Sequence, residues 1–181
     1  MSARRGAAVA LPVLLLLFAA PAAAAPRVLA TGDSMVHPLN GQLVRPVERA
    51  DGRVKRDVRP GTNLTRPVVF DWIRHARRVT KRYRPHATVM FIGAHDFSPL
   101  RAEDGREVEC CRRPWIAAYA RLVERMMSIY RRDGRANVYW LTLPAPRNRD
   151  HARHVAAVNA AIARAGETAA EGVHVVDTVP V

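Results

Sequence analysis

The chain has 181 residues, of which 29 are Lys or Arg and 16 are Asp or Glu, so its formal net charge is +13. This length fits one domain, and the excess of positive charge favours anionic neighbours; the alternative is that the arginines only solvate helix faces. Neither a zinc-ligand spacing nor an interleaved basic and aromatic pattern occurs, so we expect no metal, no cofactor and no nucleic-acid partner.

The first 25 residues have the layout of a secretory signal peptide. Arg4 and Arg5 precede an apolar run over residues 7–20, and small residues follow up to Ala25. The alternative is a membrane anchor, but the run is shorter than the roughly 20 residues that span a bilayer. We therefore expect residues 1–25 to be removed, and residues 26–181 to form one secreted or periplasmic, cell-envelope domain of a bacterium with no stable membrane span.

Apolar runs alternate with amphipathic segments through the rest of the chain. The runs predict strands at Arg27–Ala30, Val54–Val58, Ala87–Ile92, Asn137–Leu143 and Val173–Val176. Helical spacing of apolar residues predicts helices over Asp71–Arg82, Pro114–Arg132 and Asp150–Ala165. Strands separated by helices imply an α/β domain with a parallel sheet of about five strands, covered on both faces. The methionines and aromatic residues of the second helix are expected in the core.

The first predicted strand ends in Gly32-Asp33-Ser34, which makes Ser34 a candidate nucleophile. Gly32 permits a sharp turn, and the serine after it reaches the sheet edge at which open α/β folds bind their ligands. Alternatively, Ser34 simply caps the following helix, because Gly, Asp and Ser are preferred at any such turn.

Further polar segments follow the second, third and fourth predicted strands, and so face the same edge of the sheet. They are residues 59–67, Gly93-Ala94-His95-Asp96 and Pro144-Ala145-Pro146. Together with the Gly-Asp-Ser block, these segments make the sequence from Val28 onward resemble that of the SGNH (GDSL-like) hydrolases. The resemblance implies a three-layer α/β/α, flavodoxin-like domain and a serine esterase or acyltransferase site.

The resemblance assigns roles residue by residue. Ser34 matches the nucleophile, and its backbone N–H is one donor of the oxyanion hole. Gly61 or Asn63 matches the glycine of the second block, which supplies another backbone donor. His95 stands where the family has an asparagine, and an imidazole N–H can also donate to an oxyanion. The alternative is that His95 is a turn residue with no part in catalysis.

The family's final Asp-x-x-His block has no clear match. Glu171 and His174 show an acid three residues before a histidine, but His174 lies within the run that forms the fifth predicted strand. This pair is therefore only the alternative acid and base. His151 and His154 are expected on the surface of a helix. The simplest explanation at this point is a chain truncated before its acid–base pair.

Cys110 and Cys111 are the only cysteines of the chain. Adjacent cysteines leave three alternatives: a disulfide between neighbours, two free thiols, or bonds between chains. They follow the third predicted strand, and we expect them to shape the substrate pocket.

These features predict an esterase or acyltransferase that acts on an acyl ester, such as that of an acylated glycan, outside the cell and beside anionic envelope surfaces. The alternatives are an inactive carbohydrate- or wall-binding module of the same fold, or the product of a truncated gene.

Overall fold

A computed structural model describes residues 25–178 of the chain. The predicted signal peptide lies outside the described residues except for Ala25. Strands in the described range are β1 (Arg27–Gly32), β2 (Arg53–Val58), β3 (Ala87–Phe91), β4 (Leu100–Arg101), β5 (Glu107–Val108), β6 (Asn137–Leu141) and β7 (Val173–Val176). Helices in it are α1 (Asn40–Arg49), α2 (Trp72–Tyr83), α3 (Arg113–Arg131) and α4 (Ala152–Glu167).

Five strands form one parallel sheet in the order β2-β1-β3-β6-β7, which confirms the predicted α/β class and strand number. From β1 the chain passes to β2, at one edge of the sheet. It then crosses back past β1 to β3 and continues through β6 to β7, at the other edge. Since such crossovers are right-handed, α1 lies on one face of the sheet and α2, α3 and α4 lie on the other. In agreement, α2 packs on α3, α3 packs on α4, and α1 contacts β2.

The hydrophobic core lies between the sheet and the three-helix face. Tyr119, Met126 and Tyr130 of α3 are fully buried there against the sheet residues Met90 and Trp140. The prediction that the methionine and aromatic residues of this helix form core is therefore confirmed. Each such side chain contributes about 1.5–3 kcal/mol by leaving water.

The structure differs from the predicted elements at their ends, and it has two elements that were not predicted, helix α1 and the β4–β5 hairpin. The first strand runs on to Gly32, and the fourth ends at Leu141. Helix α1 was not predicted, because Gly41 and Pro46 interrupt its apolar spacing. The β4–β5 hairpin was not predicted either, since two-residue strands are too short to show alternation.

Of the three alternatives for Cys110 and Cys111, the structure has the disulfide between neighbours. The bridge lines a cleft of about 510 Å³ together with Arg112 and Arg153. Among the described residues, no helix has the length and apolar character needed to cross a membrane.

Candidate active site

The turn after β1 presents Ser34 at the carboxyl edge of the sheet, which we call the rim. Gly32 ends the strand with a φ of +146°, and a Cβ there would overlap the carbonyl oxygen of Phe91 on the neighbouring strand. Only glycine allows β1 and β3 to approach so closely at this point. The chain then turns outward, and Ser34 is exposed as the first residue of a 3-10 helix.

Asp33 holds this turn in place with a fully buried carboxylate. Its Oδ1 accepts a hydrogen bond from the backbone N–H of Met35 at 2.8 Å, and its Oδ2 accepts one from Gly93 at 3.2 Å. Burial raises the pKa of Asp33, although these N–H donors and the nearby His95 partly oppose that effect. The carboxylate thereby joins the turn after β1, which carries Ser34, to the turn after β3, which carries His95.

His95 is exposed on that second turn, and the residue after it anchors the loop. Asp96 is fully buried; its Oδ1 accepts from the backbone N–H of Thr65 at 2.8 Å, and its Oδ2 accepts from the hydroxyl of Tyr119 at 2.9 Å. Burial raises the pKa of Asp96 to about 6 despite these donors. Asp96 therefore connects the loops after β2 and β3 to helix α3.

The loop after β2 brings Asn63 to the same site. Its side-chain Nδ2 donates to the backbone carbonyl of His95 at 3.3 Å, while its buried Oδ1 has no partner among the described residues. Gly61 lies two residues earlier, exposed, with a φ of +72°. The Asn63 side chain thus positions the His95 loop.

A cleft of about 280 Å³ opens beside the Ser34 turn. Its lining joins Met35 and Ala94 from the turns after β1 and β3 to residues that follow β6 and to His151 and His154. The apolar part of the lining comes from Met35, Leu143, Pro144, Ala145, Pro146 and Val155. Asn159 fixes the far wall, because its side chain both donates to and accepts from the backbone of Leu143 at 2.8 Å.

His154 lines this cleft, whereas the sequence predicted it on the surface of a helix. It is half-buried rather than on the surface, with its ring 5.7 Å from that of Phe97 and 5.0 Å from that of His151. Burial lowers the pKa of His154, and the neighbouring His151 and His95 lower it further against an opposing hydrogen bond with Ala94. The imidazole is therefore held in its neutral form, which can accept a proton.

The alternative acid and base lie elsewhere. Glu171 is exposed just before β7, and therefore at the amino edge of the parallel sheet, opposite the rim. His174 lies within β7 and stacks on Tyr139 of β6 at 4.9 Å. The structure does not bring this pair together with Ser34.

The side chains that commonly bind metals do not cluster in the described part of the chain. Among residues 25–178, no three or more His, Cys, Asp or Glu side chains are grouped so that they could hold an ion.

The fold and the rim together define a three-layer α/β protein that presents an exposed serine, Ser34, on the turn after β1. The chain belongs to the family described as "Protein of unknown function (DUF459)", whose pattern matches residues 27–181 and so includes every strand of the sheet. A comparison with curated proteins found no match.

Proposed function

We propose that the protein is an SGNH-type serine hydrolase or acyltransferase that cleaves acyl esters at Ser34. The observation that carries the proposal is the exposed Ser34 on a turn whose buried Asp33 carboxylate binds the backbone of both Met35 and Gly93. Such a connection fixes the serine relative to the His95 loop before a substrate arrives. Nucleophilic catalysis depends on that kind of fixed geometry.

In the proposed reaction, Ser34 Oγ attacks the ester carbonyl and His154 accepts the hydroxyl proton. The acyl–oxygen bond of the substrate then breaks, and the proton passes to the departing alcohol. Water, or a hydroxyl group of an acceptor, attacks the acyl-serine and loses its proton to the same imidazole. The acid or the new ester leaves, and Ser34 regains its hydrogen, so neither oxidant nor cofactor is consumed.

The oxyanion of each tetrahedral intermediate needs donors that are already in position. We assign His95 and the backbone N–H groups of Ser34 and of Asn63 or Gly61 to this role. The hydrogen bond from the Asn63 side chain to the His95 backbone supports the assignment, because it holds two of these elements side by side. The loss of one such donor lowers turnover by roughly 10²–10³.

The small apolar cleft favours a short acyl group. Its volume of about 280 Å³ and its lining by Met35, Leu143 and Val155 suit a few methylene groups rather than a long chain. We further propose an acylated glycan as the substrate and a location outside the cell. The support for these two points is the sequence of residues 1–25 and the net charge, which stays at +11 once Arg4 and Arg5 are removed and favours anionic envelope surfaces.

A fluorophosphonate probe tests the nucleophile directly. We expect the folded chain to be labelled and Ser34→Ala to remain unlabelled. Ser128→Ala is the matched control, since it removes an exposed serine on α3 away from the rim, and it should be labelled like the parent. Equal labelling of the parent and Ser34→Ala would remove Ser34 from the mechanism.

Variants of His95 and His154 distinguish the role of the oxyanion donor from that of the proton acceptor. With a short-chain nitrophenyl ester, His95→Asn should retain turnover, because an amide also donates to an oxyanion, whereas His95→Ala should lower it. His154→Ala should lower turnover and abolish the acidic limb of the pH–rate profile, while His151→Ala should leave that limb in place. An unchanged acidic limb in His154→Ala would assign the proton transfer to another group.

A further inference from the structure

A second cleft lies between the edge strand β2 and helix α2, and its lining includes Arg59, the residue that follows β2. It has a volume of about 440 Å³ and shares no lining residue with the cleft beside Ser34. Four cations line it, Lys55, Arg59, Arg78 and Arg82, against the single carboxylate of Asp57. The lining therefore has an excess of three positive charges.

A buried pair forms the floor of this cleft. His75 and Asp57 are 4% and 7% exposed, and His75 Nε2 is hydrogen-bonded to Asp57 Oδ2. Arg78 lies 3.0 Å from the other ring nitrogen, Nδ1. Because a guanidinium has only donors, Nδ1 must accept this bond and Nε2 must carry the proton that Asp57 accepts.

Asp57 is occupied on both of its oxygens. Oδ1 pairs with the guanidinium of Arg59 at 2.9 Å, while Oδ2 accepts from His75. Burial alone would raise the pKa of Asp57, but His75 and Arg59 outweigh it and hold that pKa below its ordinary value. The one carboxylate of the cleft is therefore engaged by Arg59 and His75.

Two of the four cations, Arg59 and Lys55, also lie against aromatic rings, and only Arg59 is paired with the carboxylate. Arg59 also lies over the ring of Phe70, and Lys55 lies over the ring of Tyr83, each 5.6 Å from the ring centroid. In the described part of the chain, Lys55, Arg78 and Arg82 have no carboxylate partner. Side chains that are already oriented lose less conformational entropy when an anion binds.

From this geometry we infer that the cleft between β2 and α2 is a binding site for a phosphate group, held by the forks of Arg59 and Arg78 and by Lys55. An excess of three charges suits a dianion. Arg59 and Arg78 use Nη2 for Asp57 and His75, which leaves Nε and Nη1 of each guanidinium as donors for phosphate oxygens. The volume is large enough for a phosphate with a small organic substituent.

Calorimetric titration of the whole chain at pH 7 and physiological salt tests the inference. At that ionic strength the Debye length is about 8 Å, so net charge alone contributes little. We expect inorganic phosphate and glycerol 3-phosphate to bind, and Arg78→Gln to weaken binding at least about tenfold. Arg77→Gln is the matched control, because it removes the same charge from the adjacent position of α2 but lies outside this cleft. It should bind like the parent.

A second variant tests whether phosphate binding depends on the guanidinium groups or only on their charge. The double change Arg59→Lys with Arg78→Lys keeps the charge but removes both forks, and it should also weaken binding about tenfold or more. Equal weakening by Arg77→Gln and Arg78→Gln, or no binding at millimolar phosphate, would overturn the inference.

Vesicles that contain phosphatidic acid, whose headgroup is a phosphate monoester, distinguish the source of the phosphate. Binding of the soluble phosphates alone assigns a free ligand, and additional vesicle binding that Arg78→Gln removes assigns a lipid headgroup. Adsorption to the vesicles without binding of either soluble phosphate would overturn the site.

Discussion

Gly32 fixes the position of the candidate nucleophile because it has no side chain. Its φ of +146° is rare for residues with a side chain, and a Cβ would collide with the backbone of Phe91. We predict that Gly32→Ala lowers the free energy of unfolding by about 3 kcal/mol, measured by urea denaturation, because either the backbone or the β1–β3 pairing must shift.

Gly41 provides the control for that change. It lies in α1, where a methyl group on its Cα would have no atom within 4 Å, and its φ is not positive. Gly41→Ala should therefore raise the free energy of unfolding by roughly 0.5–1 kcal/mol through helix propensity. Equal denaturation midpoints for the two variants would show that the approach of β1 to Phe91 is not what demands glycine.

At the scale of single residues, the sequence could predict that Ser34 lies exposed at the rim but not that His154 is half-buried. Ser34 follows an apolar strand and Gly32 directly, so its place at the rim depends on local structure alone. The burial of His154 depends on Ala94 and Phe97, which approach it from a loop far away in the chain. Helical spacing marks His154 only as a residue near the start of a helix, which is as typical of the surface as of a site.

Asp96 acts at the scale of elements, since it joins two loops to α3. Its pKa of about 6, against an ordinary 3.8, means that the folded chain keeps this proton over a pH range in which the unfolded chain has lost it. The free energy of unfolding therefore falls as the pH rises from about 4 to about 6, by roughly 3 kcal/mol in total, and stays lower above that range.

We predict that Asp96→Asn removes this part of the pH dependence. The difference in free energy of unfolding between the variant and the parent should shift in favour of the variant by roughly 3 kcal/mol between pH 4 and pH 7. Urea denaturation at a series of pH values measures it. Asp133→Asn, at an exposed carboxylate, should give a curve parallel to that of the parent. A parallel curve for Asp96→Asn would mean that Asp96 does not titrate in this range.

The strands and helices could be predicted from the sequence wherever the spacing of apolar residues was regular. The five sheet strands and the helices α2, α3 and α4 were all predicted. Asp71, the first residue of the helix predicted between the second and third strands, is the N-cap of α2, and its side chain accepts a hydrogen bond from the backbone N–H of Arg74 at 2.9 Å. Helix α1 could not be predicted because it is held mainly by its contacts with β2, which override the poor propensity of Gly41 and Pro46.

At the scale of the whole molecule, the two edges of the sheet differ in charge. The edge strand β2 carries Arg53, Lys55 and Arg56, all exposed, and charged side chains on an edge strand oppose pairing with another molecule. The other edge strand, β7, has the sequence Val-His-Val-Val and pairs, among the described residues, with β6 alone. Val173 and Val175 pack against the core, whereas Val176 is 38% exposed.

We predict that self-association of the 181-residue chain proceeds through β7 and that Val176→Lys weakens it severalfold, because a lysine on each of two paired edges places like charges together. Sedimentation at increasing protein concentration measures the change. Val69→Lys is the matched control, since Val69 is 55% exposed on a loop and takes no part in the sheet. Equal effects of the two variants would point to apolar exposure in general, and a parent chain that stays monomeric throughout would show that the uncharged edge is tolerated.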